Sequence, residues 1–398
     1  MNVPKLRFKE FNDKWKPINL ANTFQYFSTN SFSREQLSES GILKNLHYGD
    51  IHRKYNSIVN ENKDITSYIK DINYVNKYEL LKNNDLIFAD ASEDYEGIGK
   101  AVEVVNVNNN TVSGLHTILA RDNSNVFAPM FKGYYFNSPI VHKQVRVLAN
   151  GFKVYGISRD SINKLNIRIP SIQEQSKIAN TLYLLDKKIE LQTKKIEDLK
   201  LFKLYMENQF IFKDDAAYTE YKLRDILIEG NKTPIADTSK YQKLTIKLNL
   251  KGLEFNESQK EMSDKRPFYV RDENELIIGK QNYFNGSIAI VNKKYAGGIC
   301  SNAIMSFKAK DGFDIKYIYL YLSQKSYMKQ REFLANGTGQ KELSEKEFLN
   351  FSIRIPSDNK VKKIIKNVNC ISKKILLEEN KLNKLIELKK GLMQNMFV

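Results

Sequence analysis

The sequence contains few of the residues on which disulfide frameworks and metal sites depend. Its 398 residues include only two cysteines, Cys300 and Cys370, and neither has a cysteine or histidine neighbour at metal-ligand spacing. This scarcity excludes a disulfide-stabilised scaffold and suits a reducing cytoplasm. Histidine is equally sparse and forms no metal or nucleophile pattern, so we expect ordinary structural roles for His47, His52, His116 and His142.

Long apolar runs are also absent. The segment from Met1 to Phe11 is charged and has no apolar centre, so we expect no signal peptide. No run approaches the roughly 20 apolar residues that a membrane span requires. The sequence therefore predicts a soluble, intracellular, cytoplasmic protein that does not associate with a membrane.

Acidic residues are fewer than basic residues in this sequence. Lys and Arg number 63 against 46 Asp and Glu, which gives a formal net charge of +17. A charge of this size costs self-repulsion that a polyanion such as nucleic acid would relieve. The alternative is a Lys- and Asn-rich composition caused by codon bias, which implies no partner. At this length the chain is too long for one ordinary core and suits two domains.

The most informative feature present is an internal repeat at a constant offset of 186 residues. The pentapeptide Ile-Arg-Ile-Pro-Ser at 167–171 recurs at 353–357, and the stretch 148–212 aligns with 334–398 without a gap. Further upstream the copies diverge, although Asn-Asp-Leu-Ile at 84–87 resembles Asn-Glu-Leu-Ile at 274–277. The two copies are thus alike at their ends and different at their beginnings.

Each copy begins with short β-rich runs separated by Asn, Gly and Asp, which predicts strands and tight turns. Each then has an Ile-Arg-Ile-Pro strand, which Pro170 or Pro356 ends before a long helix. Apolar residues in that helix recur at alternating spacings of four and three, which is typical of a coiled-coil seam. The seam residues of the first copy are Ile178, Leu182, Leu185, Ile189, Gln192, Ile196 and Leu199. Those of the second copy are Ile364, Val368, Ile371, Ile375, Glu378, Leu382 and Leu385.

Both seams carry a polar residue at the same position, Gln192 and Glu378. A single seam could pack a helix onto its own domain, but two matched seams of roughly 38 residues, about 57 Å long, favour pairing of the two helices. The order of segments along the chain makes this pair antiparallel. The predicted fold class is therefore α+β: two mixed α/β domains separated by an antiparallel pair of long coiled-coil helices, related by a pseudo-twofold internal repeat as in a dumbbell.

The sequence at the start of the first helix resembles a known family. Residues 169–182, Ile-Pro-Ser-Ile-Gln-Glu-Gln-Ser-Lys-Ile-Ala-Asn-Thr-Leu, resemble the central conserved region of type I restriction-modification specificity subunits, in which a Pro precedes a Glu-Gln pair, here Glu174-Gln175. The alternation of variable region and conserved helix covers essentially the whole chain. The second copy departs from the motif, because Lys360-Val361 stand where Glu-Gln would be expected.

The resemblance implies four segments and a set of partners. The segments are a first target-recognition domain (domain 1, residues 1–172), a central conserved helix (173–212), a second target-recognition domain (domain 2, 213–357) and a C-terminal conserved helix (358–398). The implied partners are double-stranded DNA, two methyltransferase subunits that dock on the helices, and ATP-dependent restriction subunits that translocate and cut DNA. No cofactor is expected in this chain, whereas S-adenosylmethionine, ATP and Mg are expected on the partner subunits.

Catalytic motifs are missing, in agreement with a non-catalytic recognition subunit. An adenine methyltransferase of this kind needs an Asp/Asn-Pro-Pro-aromatic loop, and the chain has no Pro-Pro pair; its nearest match, residues 137–140, lacks the second Pro and the aromatic. The Gly-Ile-Gly-Lys run at 97–100 lacks P-loop spacing, so a turn is the better interpretation.

Candidate DNA contacts are the polar, basic and aromatic clusters of the divergent segments, since Asn and Gln suit adenine and Arg and Lys suit guanine. In domain 1 these are His52, Arg53, Lys54, Tyr95, Lys100 and Lys153. In domain 2 they are Lys247, Asn249, Lys280, Gln281, Asn282, Tyr283, Gln340 and Lys341. Any one of them could instead be an ordinary surface side chain.

Two other functions remain open from the residues alone. One is a structural coiled-coil protein whose two ends bind other proteins. The other is the recognition module of another restriction-methylation type, which would change the partner and leave the DNA-reading chemistry unchanged.

Overall fold

In a computed structural model, the structure describes residues 3–70, 78–108, 110–151, 154–209, 217–256, 266–334 and 342–398. The chain divides into two compact units, the first formed by Met1–Lys194 and Glu379–Val398 and the second by Lys195–Glu378. Each unit contains one mixed domain and part of each long helix. The predicted four-segment boundaries stay predictions.

The first unit begins with the elements of domain 1. Its strands are β1 (Lys16–Ile18), β2 (Phe24–Phe27), β3 (Leu37–Ser38), β4 (Lys44–Leu46), β5 (Ile58–Asn60), β6 (Tyr68–Ile69), β7 (Leu86–Ala89), β8 (Ala91–Ser92), β9 (Ala101–Val105), β10 (Thr111–Ser113), β11 (Thr117–Asp122), β12 (Tyr155–Gly156) and β13 (Ile167–Ile169). Its helices are α1 (Leu20–Thr23), α2 (Tyr48–Arg53), α3 (Glu61–Asp64), α4 (Phe131–Phe136), α5 (Pro139–Leu148), α6 (Arg159–Asn163) and the start of α7 (Ile172–Asn208), with a 3-10 turn at Arg34–Gln36.

The second unit contains the elements of domain 2. Its strands are β14 (Tyr218–Lys222), β15 (Leu227–Glu229), β16 (Leu244–Ile246), β17 (Leu253–Phe255), β18 (Phe268–Val270), β19 (Leu276–Gly279), β20 (Ile288–Ile290), β21 (Ile299–Ser301), β22 (Ile304–Ala309) and β23 (Ser352–Pro356). Its helices are α8 (Leu223–Ile226), α9 (Ile315–Leu322), α10 (Lys325–Arg331), α11 (Glu345–Leu349) and the start of α12 (Asp358–Asn395), with 3-10 turns at Tyr283–Asn285 and Glu332–Leu334.

The central sheets of the two domains share the order of four strands, and domain 1 adds a fifth strand, β5. Strand order is β2-β11-β7-β9-β5 in domain 1 and β15-β22-β19-β20 in domain 2. In both, the middle strand, β7 or β19, is a fully buried apolar run, which is typical of a strand with both faces covered. The residue two positions before this strand, Asn84 or Asn274, has a left-handed backbone in each domain, so the weak match at an offset of 190 marks a shared turn.

The repeated Ile-Arg-Ile-Pro segment forms an antiparallel pair with the first strand of its own domain. In domain 1, β13 pairs with β1, and in domain 2, β23 pairs with β14. Ser171 then caps the first long helix by accepting a hydrogen bond from the Glu174 N–H at 3.3 Å. Pro170 thus follows the last residue of β13, as the sequence predicts, and Ser171 begins the helix.

The two long helices, α7 and α12, contain 37 and 38 residues. All fourteen predicted seam residues are buried or partly buried, while neighbours such as Leu184, Leu191 and Leu377 are exposed. The beginning of each seam packs on its own domain: Ile178 and Leu182 belong to the core of domain 1, and Ile364 and Val368 to that of domain 2. Part of each seam therefore serves domain packing.

Beyond those first turns the helices pair with each other. In the first unit, Lys389 Nζ of α12 lies 2.5 Å from Asp186 Oδ1 of α7. In the second unit, Lys195 Nζ of α7 lies 3.0 Å from Oε1 of the buried Glu378 of α12. The polar interruption of the second seam is therefore a buried carboxylate that has a cationic partner.

The direction of pairing is visible within the first unit. Leu6 N–H donates to Asn395 O at 2.9 Å, and the adjacent Arg7 binds Glu174. Residues early in α7 thus lie near the end of α12, whereas Asp186, further along α7, meets the earlier Lys389. The pair is antiparallel, and the predicted α+β class with paired long helices and an internal repeat is confirmed.

Candidate nucleic-acid interface

In domain 1, three of the predicted DNA contacts, His52, Arg53 and Lys54, lie at the C-terminal end of α2. His47 begins this helix, since its Nδ1 accepts the Gly49 N–H at 3.1 Å. Burial lowers the pKa of His47, and the nearby Arg34 guanidinium lowers it further. Arg53 is exposed, whereas Lys54 Nζ lies 3.2 Å from Oδ1 of the buried Asp50.

The segment after β7 packs against that helix end. His52 Nε2 lies 2.9 Å from Ala91 O, and Lys100 Nζ donates to His52 O at 3.2 Å. This hydrogen bond helps to hold the segment in place, and burial lowers the pKa of Lys100. Tyr95 is exposed and donates its hydroxyl to Arg146 O at 3.0 Å. The structure thus brings together His52 and Lys100, which sequence spacing alone does not connect.

Four residues that sequence reasoning missed complete this surface. The His116 ring lies 5.2 Å from the Tyr48 ring, and His116 Nδ1 lies 3.2 Å from Asp90 Oδ1. Arg34 Nη1 lies 3.0 Å from Asp50 Oδ1. His116 has a left-handed backbone, which is uncommon for a residue other than glycine. An isolated histidine or aspartate gives no signal in one sequence, so only the fold reveals the cluster.

In domain 2, the predicted residues that the structure describes come from two separate segments. Lys247 and Asn249 lie between β16 and β17, where Lys247 forms an ion pair with Glu254. The Asn249 N–H donates to Asn285 O at 2.8 Å, which ties this turn to the segment after β19. A Cβ on Gly286 would lie 2.9 Å from Leu250 N, so the close approach requires glycine.

Lys280, Gln281 and Asn282 line one cleft of about 560 Å³. Gln281 and Asn282 are exposed, and Lys280 is partly buried. Lys243, Asn256 and Arg266 line the same cleft and were missed by sequence reasoning, because they belong to strands and turns with no distinctive pattern. Amines, a guanidinium and amides around one cleft can donate to phosphates and to base edges.

Tyr283 does not belong to this surface. Its side chain is fully buried and its hydroxyl donates to Leu322 O at 2.9 Å within the core of domain 2. The aromatic ring anchors the turn that presents Gln281 and Asn282, so its proximity in sequence to polar residues was misleading. Lys153, Gln340 and Lys341 lie outside the described residues.

No group of three or more His, Cys, Asp and Glu side chains among the described residues could hold a metal ion. Over the same ranges, no helix is both long enough and apolar enough to cross a membrane.

Comparison with known proteins finds the same arrangement of two repeated units. The family described as the type I restriction modification DNA specificity domain matches residues 12–201 and again residues 216–388. The chain belongs to this specificity family. As a type I restriction-modification specificity subunit it recognises DNA and is not the catalyst of the enzyme.

Individual proteins that resemble this chain are also type I specificity subunits. The putative type I restriction enzyme MjaX specificity subunit of Methanocaldococcus jannaschii is 24% identical over 361 residues, covering 83% of this chain and 82% of that protein. The type I restriction-modification S subunit from M. genitalium has the same fold, with a TM-score of 0.59 at 14% identity over 100% of this chain and 99% of that one. A chain from a study of complex assembly and conformational transition of the type I R-M system gives a TM-score of 0.57 at 13% identity, covering 97% and 98%.

Proposed function

We propose that this specificity subunit reads a bipartite, asymmetric site on double-stranded DNA. Each domain binds one half-site, and the paired helices set the spacing between the half-sites. The observation that carries the proposal is that each domain gathers polar and basic side chains from separate segments around the end of the same central strand, β7 or β19. A shared scaffold with different side chains suits two different half-sites.

The length of the helices supports a spacing role. Half-sites one turn of B-DNA apart lie about 34 Å from centre to centre, and a helix of 37 residues is about 55 Å long. The net charge of +17 favours a polyanionic partner and predicts binding that weakens steeply with salt.

The same helices dock two methyltransferase subunits in this proposal. Exposed apolar side chains recur at positions related by the 186-residue repeat: Leu191 with Leu377, and Phe202 with Leu388. Their recurrence gives the chain two equivalent faces with exposed apolar side chains, which suits the docking of two copies of one partner. The assembled enzyme methylates adenine or recruits ATP-driven restriction subunits, acts in the cytoplasm in host defence, and carries S-adenosylmethionine, ATP and Mg on those partner subunits.

The test is selection of bound duplexes by the full-length chain from a library with randomised sequence. We expect two constant sequence blocks separated by a fixed number of unselected base pairs, with binding that falls as salt rises. Methylome sequencing of a host with and without the gene should show the same motif. If no DNA sequence is enriched and DNA binding does not depend on salt, the chain would instead fit a coiled-coil protein that binds other proteins. A single palindromic block would contradict a bipartite asymmetric site.

A further inference from the structure

The residue directly after the central strand has the same backbone environment in both domains. In domain 1 the Asp90 N–H donates to His116 O at 3.0 Å, and in domain 2 the Lys280 N–H donates to Ala303 O at 3.0 Å. These contacts tie each residue to the segment that leads into the neighbouring strand, β11 or β22.

The carbonyl groups are held equivalently as well. Asp90 O accepts the Ile157 N–H at 2.9 Å, and Lys280 O accepts the Leu343 N–H at 3.0 Å. Ile157 and Leu343 are separated by 186 residues, the offset of the internal repeat. Two backbone hydrogen bonds, one through the N–H and one through the C=O, therefore hold Asp90 and Lys280 at the same position of a shared scaffold.

The side chains at this position carry opposite charge. The Asp90 carboxylate is partly exposed and lies beside the half-exposed His116 ring. The Lys280 amine is 21% exposed and lies 3.8 Å from Glu345, whose nearer cationic partner is Lys232 at 2.9 Å. One domain thus offers hydrogen-bond acceptors where the other offers donors.

The surroundings of this position differ between the domains. In domain 1, Asp90 lies beside His116, whose ring lies next to Tyr48 of α2. In domain 2, Lys280 lines the cleft together with Gln281, Asn282 and the β16 strand. The divergent segments of the sequence therefore contribute the walls around one conserved backbone position, as expected of a reading site whose scaffold is kept and whose chemistry changes.

We propose that Asp90 and Lys280 are matched base-reading residues of the two domains, and that they select bases of opposite hydrogen-bonding character. Asp90 accepts from an amino group, either cytosine N4 or adenine N6, while Lys280 donates to guanine O6 and N7. The carboxylate is repelled by the acceptors of guanine, and the ammonium finds no acceptor on cytosine in the major groove. His116 is a positioning residue that orients the Asp90 carboxylate. This inference rests on the proposed DNA-reading function.

A purely structural role for Asp90 and His116 makes a different prediction. A side-chain contact that only stabilises the fold would lower the melting temperature when removed, and would weaken all positions of the half-site equally. A base-reading residue instead changes the preference at one base pair and leaves the others as they were.

The experiment selects duplexes from the randomised library with the full-length chain and its variants, and records the thermal midpoint of each. We expect Lys280→Gln to lower the guanine preference at one position of one half-site about tenfold and to shift it toward adenine, which suits an amide. Asp90→Asn should admit guanine or thymine at one position of the other half-site, since an amide can also donate. His116→Ala should relax that same position.

Matched controls remove the same charges elsewhere on the same domains. Lys316→Gln in the first turn of α9 and Asp160→Asn on α6 alter exposed residues and should leave every base preference unchanged. The inference is overturned if the Lys280 and Asp90 variants keep the wild-type preferences, or lose all positions of a half-site together. If the wild-type chain enriches two blocks but the variants match it, the proposed function stands without this inference; if the wild type enriches none, both fail.

Discussion

At the scale of single residues, the Glu-Gln pair at the start of α7 acts through hydrogen bonds that tie the helix to domain 1. Glu174 is buried and accepts two hydrogen bonds from Arg7, at 2.8 and 2.7 Å. Gln175 is also buried; it accepts the Ala128 N–H at 2.9 Å and donates to Val126 O and Pro170 O at 3.0 Å. The pair is therefore structural.

Gln175→Ala should lower the free energy of unfolding by about 2 to 4 kcal/mol, because it removes three hydrogen bonds and leaves buried backbone groups unpaired. Denaturant unfolding of the full chain measures this change. Gln173→Ala on the exposed face of the same helix turn is the control and should stay within about 0.5 kcal/mol. Equal effects of the two substitutions would show that the buried amide contributes nothing special.

The same contacts explain why the second copy lacks the pair. Val361 occupies the repeat position of Gln175 and is buried in the apolar core of domain 2. The sequence alone predicted the place of the motif and its loss in the second copy. It could not predict the reason, because two of the groups that Gln175 binds, Val126 O and the Ala128 N–H, lie almost 50 residues away. The prediction that Tyr283 contacts DNA was wrong for a similar reason, because Leu322 O, to which its hydroxyl donates, is distant in sequence.

At the scale of elements, the segment after α12 completes the core of domain 1. The Phe397 ring stacks on Tyr135 at 5.4 Å between centroids and contacts Phe131 at 5.9 Å. The Tyr135 hydroxyl donates to Arg168 O at 2.6 Å. The heptad pattern predicted the helices and their pairing, since periodicity is local. That Phe397 lies in the core of domain 1 was not predictable, because no pattern connects it with Phe131 or Tyr135.

Phe397→Ala should destabilise the first unit by about 3 kcal/mol, since a buried aromatic side chain is replaced by a cavity. Hydrogen exchange should accelerate at the amides of α4 and remain unchanged in α9 of the second unit. Phe333→Ala, which truncates a largely exposed ring, should change neither. Faster exchange in α9 as well would mean that the chain unfolds as one cooperative unit, and unchanged exchange in α4 would contradict the packing role of Phe397.

At the scale of the whole chain, the internal repeat was the strongest sequence signal, and it predicted two domains on one scaffold. The gap-free stretch covers β13, α7, β23 and α12, whose geometry is shared. The proposed base-reading residues Asp90 and Lys280 lie outside that stretch and differ in identity. The sequence named Lys280 as a candidate DNA contact but missed Asp90, because the equivalence of the two positions exists only in their backbone hydrogen bonds.

In the proposed function, the paired helices set the distance between the two half-sites. Insertion of one heptad into both helices, near Gln192 and Glu378, keeps the seams in phase. It lengthens each helix by roughly 10 Å, which equals about three base pairs at 3.4 Å per pair. Three pairs also turn the duplex by about 100° at 10 to 10.5 pairs per turn, so we expect lower affinity. A seven-residue insertion in the exposed turn between β22 and α9 is the control.

Selection of bound sites from a library with randomised spacers is the decisive measurement. We expect the bases of both half-sites to stay the same while the preferred spacer grows by about three base pairs, and we expect the control insertion to leave the spacer unchanged. An unchanged spacer in the heptad variant would contradict the account, because contacts outside the helices would then set the distance, and altered half-site bases would show that the helices themselves take part in reading.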